Sequence, residues 1–288
     1  MRLCTTLALL SGRYGGEIRG PADPSVGAGE VGRFVPLEVA GPGDLAPLLS
    51  RRFVRAGFLA SERGARLLVA AELAARSDVR SLPGWFHPHA PWVMARVLEE
   101  IADAPNRAAT WGADPRWGEH VVLGPRVVIG DRVHVGDSSV IGRPGFGWVT
   151  GPDGKVSQTP HLGGVVIEDD VYIGAHCTID AGVLGPTVIR RGVKIDAHVH
   201  VGHNCEIGEG TMVAAQSGFA GSVKIGTGVL VGGQVGIADH VTIGEGARIA
   251  AKSGVIGDVP AGAVVAGYPA VARMQWLRAL ARIYRRLE

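Results

Sequence analysis

From Ile189 onward the chain keeps a hydrophobic beat of six: Ile195, Val201, Ile207, Val213, Phe219, Ile225, Val231, Ile237, Ile243, Ile249 and Val255 follow without a miss. Four places after each beat comes a small or β-branched residue, among them Val193, Val199, Cys205, Thr211, Ser217, Val223, Val229 and Val235. The position directly after a beat is often Gly, Ala or Asp. Two inward positions in every six residues, separated by Gly-rich turns, predict a parallel β-helix of hexapeptide repeats. An amphipathic α-helix would repeat at 3.6 residues, and that period is missing. Earlier hexads stand at Leu123, Ile129, Val135 and Ile141, and again at Ile167, Ile173 and Ile179. The phase breaks between Ile141 and Ile167 and slips by four residues between Ile179 and Ile189. Both breaks are read as loops leaving the helix.

Three faces of six residues make a coil of about 18, and coils stack at the strand spacing of roughly 4.8 Å. Residues 18 apart are then vertical neighbours. This rule gives an address to the three histidines of the stretch HVHVGHN, residues 198–204. His203, two places after the inward Val201, points outward at a turn. Gly221 lies one coil above it, and Asp239, followed by His240, two coils above. His203 and His240 therefore share an edge roughly 10 Å apart. His198 and His200 belong to the neighbouring hexad and another face. A catalytic zinc needs about three protein ligands, and no third histidine stands on the right coil, since His161 falls in the loop insertion. His87, His89, His120 and His134 read as exposed turn histidines. Cys177 and Cys205 occupy inward positions, which favours packing over nucleophilic chemistry.

The first hundred residues lack the beat and form a separate unit. It contains short apolar runs such as ARLLVAAEL and one predicted helix from Pro91 to Asp103, with Val93, Val97, Leu98 and Ile101 on one face. The tail RMQWLRALARIYRRLE predicts an amphipathic helix. Leu277, Leu280, Tyr284 and Leu287 form its apolar face, and Arg273, Arg278, Arg282, Arg285 and Arg286 the basic remainder.

Composition narrows the function classes. A chain of 288 residues, 46% hydrophobic and 19% charged, suits a soluble globular protein. A net charge of +2 with mixed signs argues against nucleic acid as partner. Three widely spaced cysteines suit reduced thiols in a cytoplasmic protein. The opening MRLCTTLALLSG is too Gly-broken for a signal peptide, and no run approaches a transmembrane segment.

Several stretches carry a more specific signal: IGRPGFGW (141–148), HCTIDAG (176–182), VKIDAHVHVGHNCEIGEGTMVAAQSGFAGSVKIG (193–226), VGGQVGIADHVTIGE (231–245) and VVAGYPAVARMQWLRAL (264–280). They resemble the UDP-3-O-acylglucosamine N-acyltransferases of lipid A biosynthesis. The resemblance implies a mainly β fold. A left-handed parallel β-helix would span residues 109–265, with a loop insertion at about 143–165. A small α/β nucleotide-binding-like domain would occupy residues 1–108 and a C-terminal α-helix residues 266–288. It implies a cytoplasmic homotrimer that moves a 3-hydroxyacyl chain from acyl carrier protein to the 2-amino group of UDP-3-O-(3-hydroxyacyl)glucosamine. No cofactor of its own is implied, because the donor rides on the phosphopantetheine of the carrier.

Residue by residue, His203 in GHN matches the family's catalytic histidine, with Asn204 beside it as a substrate-site residue. Gly221 matches the glycine whose N–H faces the tetrahedral oxyanion, and His240 a second histidine assisting binding and charge stabilisation. Asp196 matches an acidic position near the active site. Phe146 and Gly147 match the GFG element of the substrate cleft. The segment LAPLLSRRF (45–53) matches the uracil-binding stretch, but carries Pro47, Ser50 and Phe53 in place of an aromatic, an Asn and a Tyr. Phe53 alone is left to stack on a base. Ala181 replaces an Arg, Pro144 an acidic residue and Asp239 a Gly. These departures keep two alternatives open: an acyltransferase of the same superfamily acting on another nucleotide amino sugar, and a non-catalytic trimeric β-helix scaffold. The basic tail offers either a docking face for the acidic carrier or a packed helix with a solvated side.

Overall fold

The computed structural model describes residues 2–20, 30–102, 107–267 and 272–285. The N-terminal unit is built on six strands: β1 (Arg2–Thr6), β2 (Glu17–Arg19), β3 (Glu30–Phe34), β4 (Asp44–Leu48), β5 (Arg66–Ala70) and β6 (Gly84–His87). They form one sheet in the order β1-β3-β4-β5-β6-β2. The inner pairs β3–β4, β4–β5 and β5–β6 are parallel, and the outer strands β1 and β2 run antiparallel to their neighbours. Helices α1 (Leu7–Tyr14), α2 (Val54–Glu62) and α3 (Ala90–Ala102) accompany the sheet. The apolar run around Leu67 becomes β5, buried on both faces as a central parallel strand should be. Helix α3 buries Val93, Val97, Leu98 and Ile101, the face its spacing predicts; Asp103 lies outside the described residues.

Beyond residue 109 the hexapeptide beat becomes geometry. Short parallel strands stack into three faces. The first runs from Thr110–Trp111 to Thr242–Ile243, the second from Arg116–Trp117 to Val264–Val265, and the third from Val122–Leu123 to Gly254–Val255. Register is exact in the coils around the histidines: Val201 pairs with Phe219 and Phe219 with Ile237. The beat residues fill the interior, with Ile195, Val201, Ile207 and Phe219 all buried. Where the second inward position is polar, it repairs the backbone: Thr211 Oγ1 donates to the Gly226 carbonyl and Ser217 Oγ to that of Gly232. Cys177 and Cys205 serve as buried rungs of the same kind, and burial pushes the Cys205 thiol up to about 12.

Most turns place the third residue after the beat in the left-handed region, including His198, Asn204, Gln216, Ser222, Gln234 and His240. Asn tolerates that conformation better than most residues because its short amide bonds locally. The C-terminal helix α4 (Arg273–Tyr284) leaves Met274, Leu277 and Ile283 exposed. Arg286 and Leu287 of the predicted tail helix lie outside the described residues.

The two phase breaks seat the N-terminal unit on the β-helix. The first contains a hairpin, Trp148–Thr150 paired with Val156–Gln158, which packs against α3. From the end of that loop Leu162, and from the second break Val183 and Leu184, join the N-terminal hydrophobic core. Two exposed-histidine expectations fail: His134 lies in the strand His134–Val135, half-buried and stacked on Tyr172 with centroids 4.7 Å apart, and His87 is inside the N-terminal unit. His87 is buried, with Nε2 3.0 Å from the Tyr14 carbonyl and Nδ1 accepting the His89 N–H. It ends a central strand and not a turn.

Candidate active site

His203 follows the strand His200–Val201, where the chain turns from the third face to the first. Gly221 and His240 occupy the same corner on successive coils, after Gly218–Phe219 and Gly236–Ile237. The fit between His203 and Gly221 is close. A Cβ placed on Gly221 would stand 2.5 Å from His203 Nε2, nearer than real Cβ contacts come. A larger residue there would have to displace the ring, and backbone conformation is not the reason for glycine, since Gly221 does not have a positive φ. Its N–H meets no acceptor among the described residues.

Asn204 fixes the chemistry of His203. The Asn204 amide is oriented by two backbone groups: Oδ1 accepts the Val183 N–H at 3.0 Å and Nδ2 donates to the Gly185 carbonyl at 2.9 Å. With Oδ1 thus identified, His203 Nδ1, 3.2 Å away, must be the donor. A neutral His203 then carries its lone pair on Nε2, the atom beside Gly221. The Asn204 N–H donates to Thr187 Oγ1 at 2.8 Å, which pins the turn. The Gly182–Gly185 bulge that supplies these partners is the four-residue slip of the repeat.

His161 is the residue that counting coils did not place. The 143–165 loop folds back so that its ring meets His203 edge to face, centroids 5.1 Å apart. Its Nδ1 donates to the Thr159 carbonyl at 2.8 Å, and its Nε2 is buried without a partner. Burial, with His203 beside it, pushes His161 down to about 4, so it is neutral at ordinary pH. Gly145 and Gly147 make room for it: Cβ atoms there would lie 2.8 Å from its Nε2 and 3.0 Å from its Cε1.

A charged cluster underlies the same corner. Asp180 is buried and stands 2.8 Å from Arg143 Nε and 3.7 Å from His200 Nε2. The Arg143 contact is an ion pair without hydrogen-bond alignment, which leaves Asp180 Oδ1 unsatisfied. Burial pushes the Asp180 carboxyl up and His200 down, each against the pull of the other. Thr178 Oγ1, 2.7 Å from His200 Nδ1, orients that ring. Adding the four-residue slip to the 18-residue rule pairs Thr178 with His200, as observed, and was the available signal for Asp180.

The other candidate residues divide. Phe53 comes to the site from the N-terminal unit and packs edge to face on His240, centroids 5.4 Å apart. Burial pushes His240 down. Ser50 caps its own turn, accepting the Arg52 N–H at 3.4 Å. Phe146 is 83% exposed at the loop tip, whereas Gly147 lies inside against His161. Asp196 is not brought to His203 within the chain. It stands at the corner between second and third faces, where Oδ1 accepts the Ala197 N–H at 2.8 Å. Among the described residues no group of three or more His, Cys, Asp or Glu could hold a metal ion.

Comparison with known proteins places this geometry. Residues 186–221 match the family described as bacterial transferase hexapeptide (six repeats). A UDP-3-O-acylglucosamine N-acyltransferase of Christiangramia forsetii is 54% identical over 83 residues, 29% of this chain and 24% of that protein. One from Helicobacter hepaticus is 52% identical over 84 residues, 29% of this chain and 26% of that protein. The matches thus span about a quarter of the curated relatives' length. The resemblance read from the motifs is borne out over that stretch. Among solved structures, the Francisella novicida UDP-N-acetylglucosamine acyltransferase aligns with a TM-score of 0.50 at 25% identity, covering 59% of this chain and 62% of that one. The fold is the left-handed β-helix of that group, with a C-terminal helix.

Proposed function

We propose that the protein is an N-acyltransferase acting in lipid A biosynthesis. It moves a 3-hydroxyacyl chain from the thioester of acyl carrier protein to the 2-amino group of UDP-3-O-(3-hydroxyacyl)glucosamine. The observation that carries this reading is the lone pair of His203 Nε2, fixed by Asn204 and packed against Gly221, whose N–H has no acceptor among the described residues. A base and an oxyanion donor lie within one residue's width, the arrangement that acyl transfer to an amine needs.

The amine nitrogen attacks the thioester carbonyl while His203 Nε2 takes one of its protons. The carbonyl oxygen gains negative charge and is received by the Gly221 N–H. Collapse breaks the C–S bond, and the His203 imidazolium returns its proton to the departing sulfur. The products are an amide and a free phosphopantetheine thiol. His240 and Phe53, two coils from His203, mark the end of the cleft that would take the nucleotide. The curated relatives are named as UDP-3-O-acylglucosamine N-acyltransferases, which supports the acceptor and the amide bond of this reading. By the same reading the protein works in the cytoplasm as a homotrimer. Among the described residues no helix is long and apolar enough to cross a membrane.

A second reading rests on the packing of Phe53 against His240 and the self-capping of Ser50. Both occupy groups that a uracil would use, which favours a different nucleotide amino sugar as acceptor. Acyl transfer from 3-hydroxyacyl carrier protein, followed by mass spectrometry of the nucleotide product, tests both. Amide formed on UDP-3-O-acylglucosamine supports the first reading. Turnover only with another amino sugar supports the second, and turnover of no amine overturns both.

A further inference from the structure

We infer that Asp180 is a positioning residue for the transfer: its buried carboxylate, one coil below the turn that carries His203, is the counter-charge that steadies the imidazolium formed when His203 takes the amine's proton. The inference rests on the amide-forming reading above and adds to it the acid behind the base.

The placement follows from register. Thr178 pairs with His200 and Ile179 with Val201, so Asp180 stands below Gly202, the residue before His203. Its side chain is only 2% exposed, with Arg143 Nε 2.8 Å from Oδ1 and His200 Nε2 3.7 Å from Oδ2. Neither contact is an aligned hydrogen bond, and Oδ1 is left unsatisfied. A buried ion pair with incomplete hydrogen bonds is no better for stability than well-packed apolar residues. What Asp180 contributes is its charge. Burial raises the Asp180 carboxyl, and His200, Arg143 and His203 draw it back down, so its field reaches the base.

The other groups around His203 leave this task to Asp180. Asn204 gives Nδ1 an acceptor but no charge. His161 is held neutral by burial until about pH 4, and burial pushes His200 and His240 down as well. The Cys205 thiol, pushed up to about 12, stays neutral. Asp239 and Asp258 stand higher at the corner. The first favours the protonated form of His240, and the second accepts the Thr242 N–H with Arg52 4.0 Å away. In the transfer the N–C bond forms, one amine proton passes to His203 Nε2, the C–S bond breaks, and that proton leaves with the sulfur. Between those events His203 carries a positive charge, packed by the His161 ring and by Gly145. A carboxylate beside it lowers the energy of the charged ring and leaves that of the neutral ring unchanged. The Arg143 guanidinium, half-exposed on the far side of the pair, opposes the same charge.

The test reads the charge of His203 in the unmutated full chain, Asp180→Asn, Arg143→Gln and the double variant. One readout is the pH midpoint at which the His203 ring titrates by ¹⁵N NMR, assigned against His203→Ala. The other is the acid limb of kcat/KM for UDP-3-O-acylglucosamine with the carrier thioester. Asp180→Asn should lower both by about one pH unit and reduce kcat by up to roughly tenfold, because the imidazolium has lost its counter-charge. The same substitution in the Arg143→Gln background should again lower the midpoint, since the effect belongs to Asp180 and not to an arginine left unpaired. A merely structural role would lower kcat and the melting temperature and leave the midpoint where it was. A midpoint that stays fixed in Asp180→Asn, or that falls only while Arg143 is present, overturns the inference. Should Asp180→Asn fail to fold, the double variant measured against Arg143→Gln decides, because there both partners of the ion pair are gone. Unmutated protein that acylates no amine overturns the reaction itself, an outcome distinct from a fixed midpoint.

Discussion

The imidazole of His203 fills the space that a side chain on Gly221 would need: a Cβ at residue 221 would stand 2.5 Å from Nε2. Two residues 18 apart in sequence thus meet at one corner, because the coil repeats after three hexads. Gly221→Ala should displace the ring while leaving the buried beat intact. We expect an unchanged melting temperature and a fall in kcat of roughly a hundredfold, the cost of misplacing a reacting group by about 1 Å. Retention of full kcat would mean that the ring has another resting place.

Asn204 is expected to matter for stability as well as for rate. Asn204→Ala removes the partners of the Val183 N–H and the Gly185 carbonyl and puts alanine at φ 59°. The combined cost should be about 2–4 kcal/mol in urea unfolding. Asn204→Asp keeps an acceptor for His203 Nδ1 but adds a negative charge beside it. A charge of that sign favours the imidazolium. Since the base must be neutral to act, the acid limb of kcat/KM should move to higher pH.

His161 makes stability depend on pH in a defined window. Its folded value, about 4, lies below its ordinary 6.5. Between those values the unfolded chain binds a proton that the folded protein refuses, so acid favours unfolding. The stabilisation is complete above about 6.5 and is lost as pH falls towards 4. Melting temperatures from pH 7 to 4 should drop less steeply in His161→Phe than in the unmutated protein.

The repeat made part of this site legible and hid the rest. Hexad counting put His203, Gly221 and His240 on one corner, because strand register is strict inside the coils. It also identified Cys177 and Cys205 as interior rungs. The method stops where the beat stops. His161 sits in the 143–165 loop, which has no coil address, and it reaches His203 only through the fold of that loop around Gly145 and Gly147. Asp180 was hidden by the four-residue slip, although Thr178 pairing with His200 shows that the slip could have been added to the count. Asp196 stands apart within the chain. The resemblance places it near the active site, and within one chain its hexad position is the corner between the second and third faces. His87 was misread because a strand-ending histidine and a turn histidine look alike among the Pro and His of the sequence.

The thiols give a simple check on the fold. Cys177 and Cys205 are buried and Cys4 is exposed. Burial pushes both interior thiols up, so neither is a thiolate at neutral pH. An Ellman titration of the native protein should register one fast thiol and three after denaturation. Fast reaction of Cys205 would contradict the inward assignment of its hexad position.

The central claim is that His203 is the base for acyl transfer, and its most direct test is the rate of amide formation in His203→Ala beside the unmutated protein. Matched melting curves would establish that both are folded. The account predicts that the unmutated protein acylates an amino-sugar nucleotide and that the variant does so at least about a hundredfold more slowly, as expected for loss of a general base. A folded variant that works at the unmutated rate would contradict it and move the chemistry away from this corner.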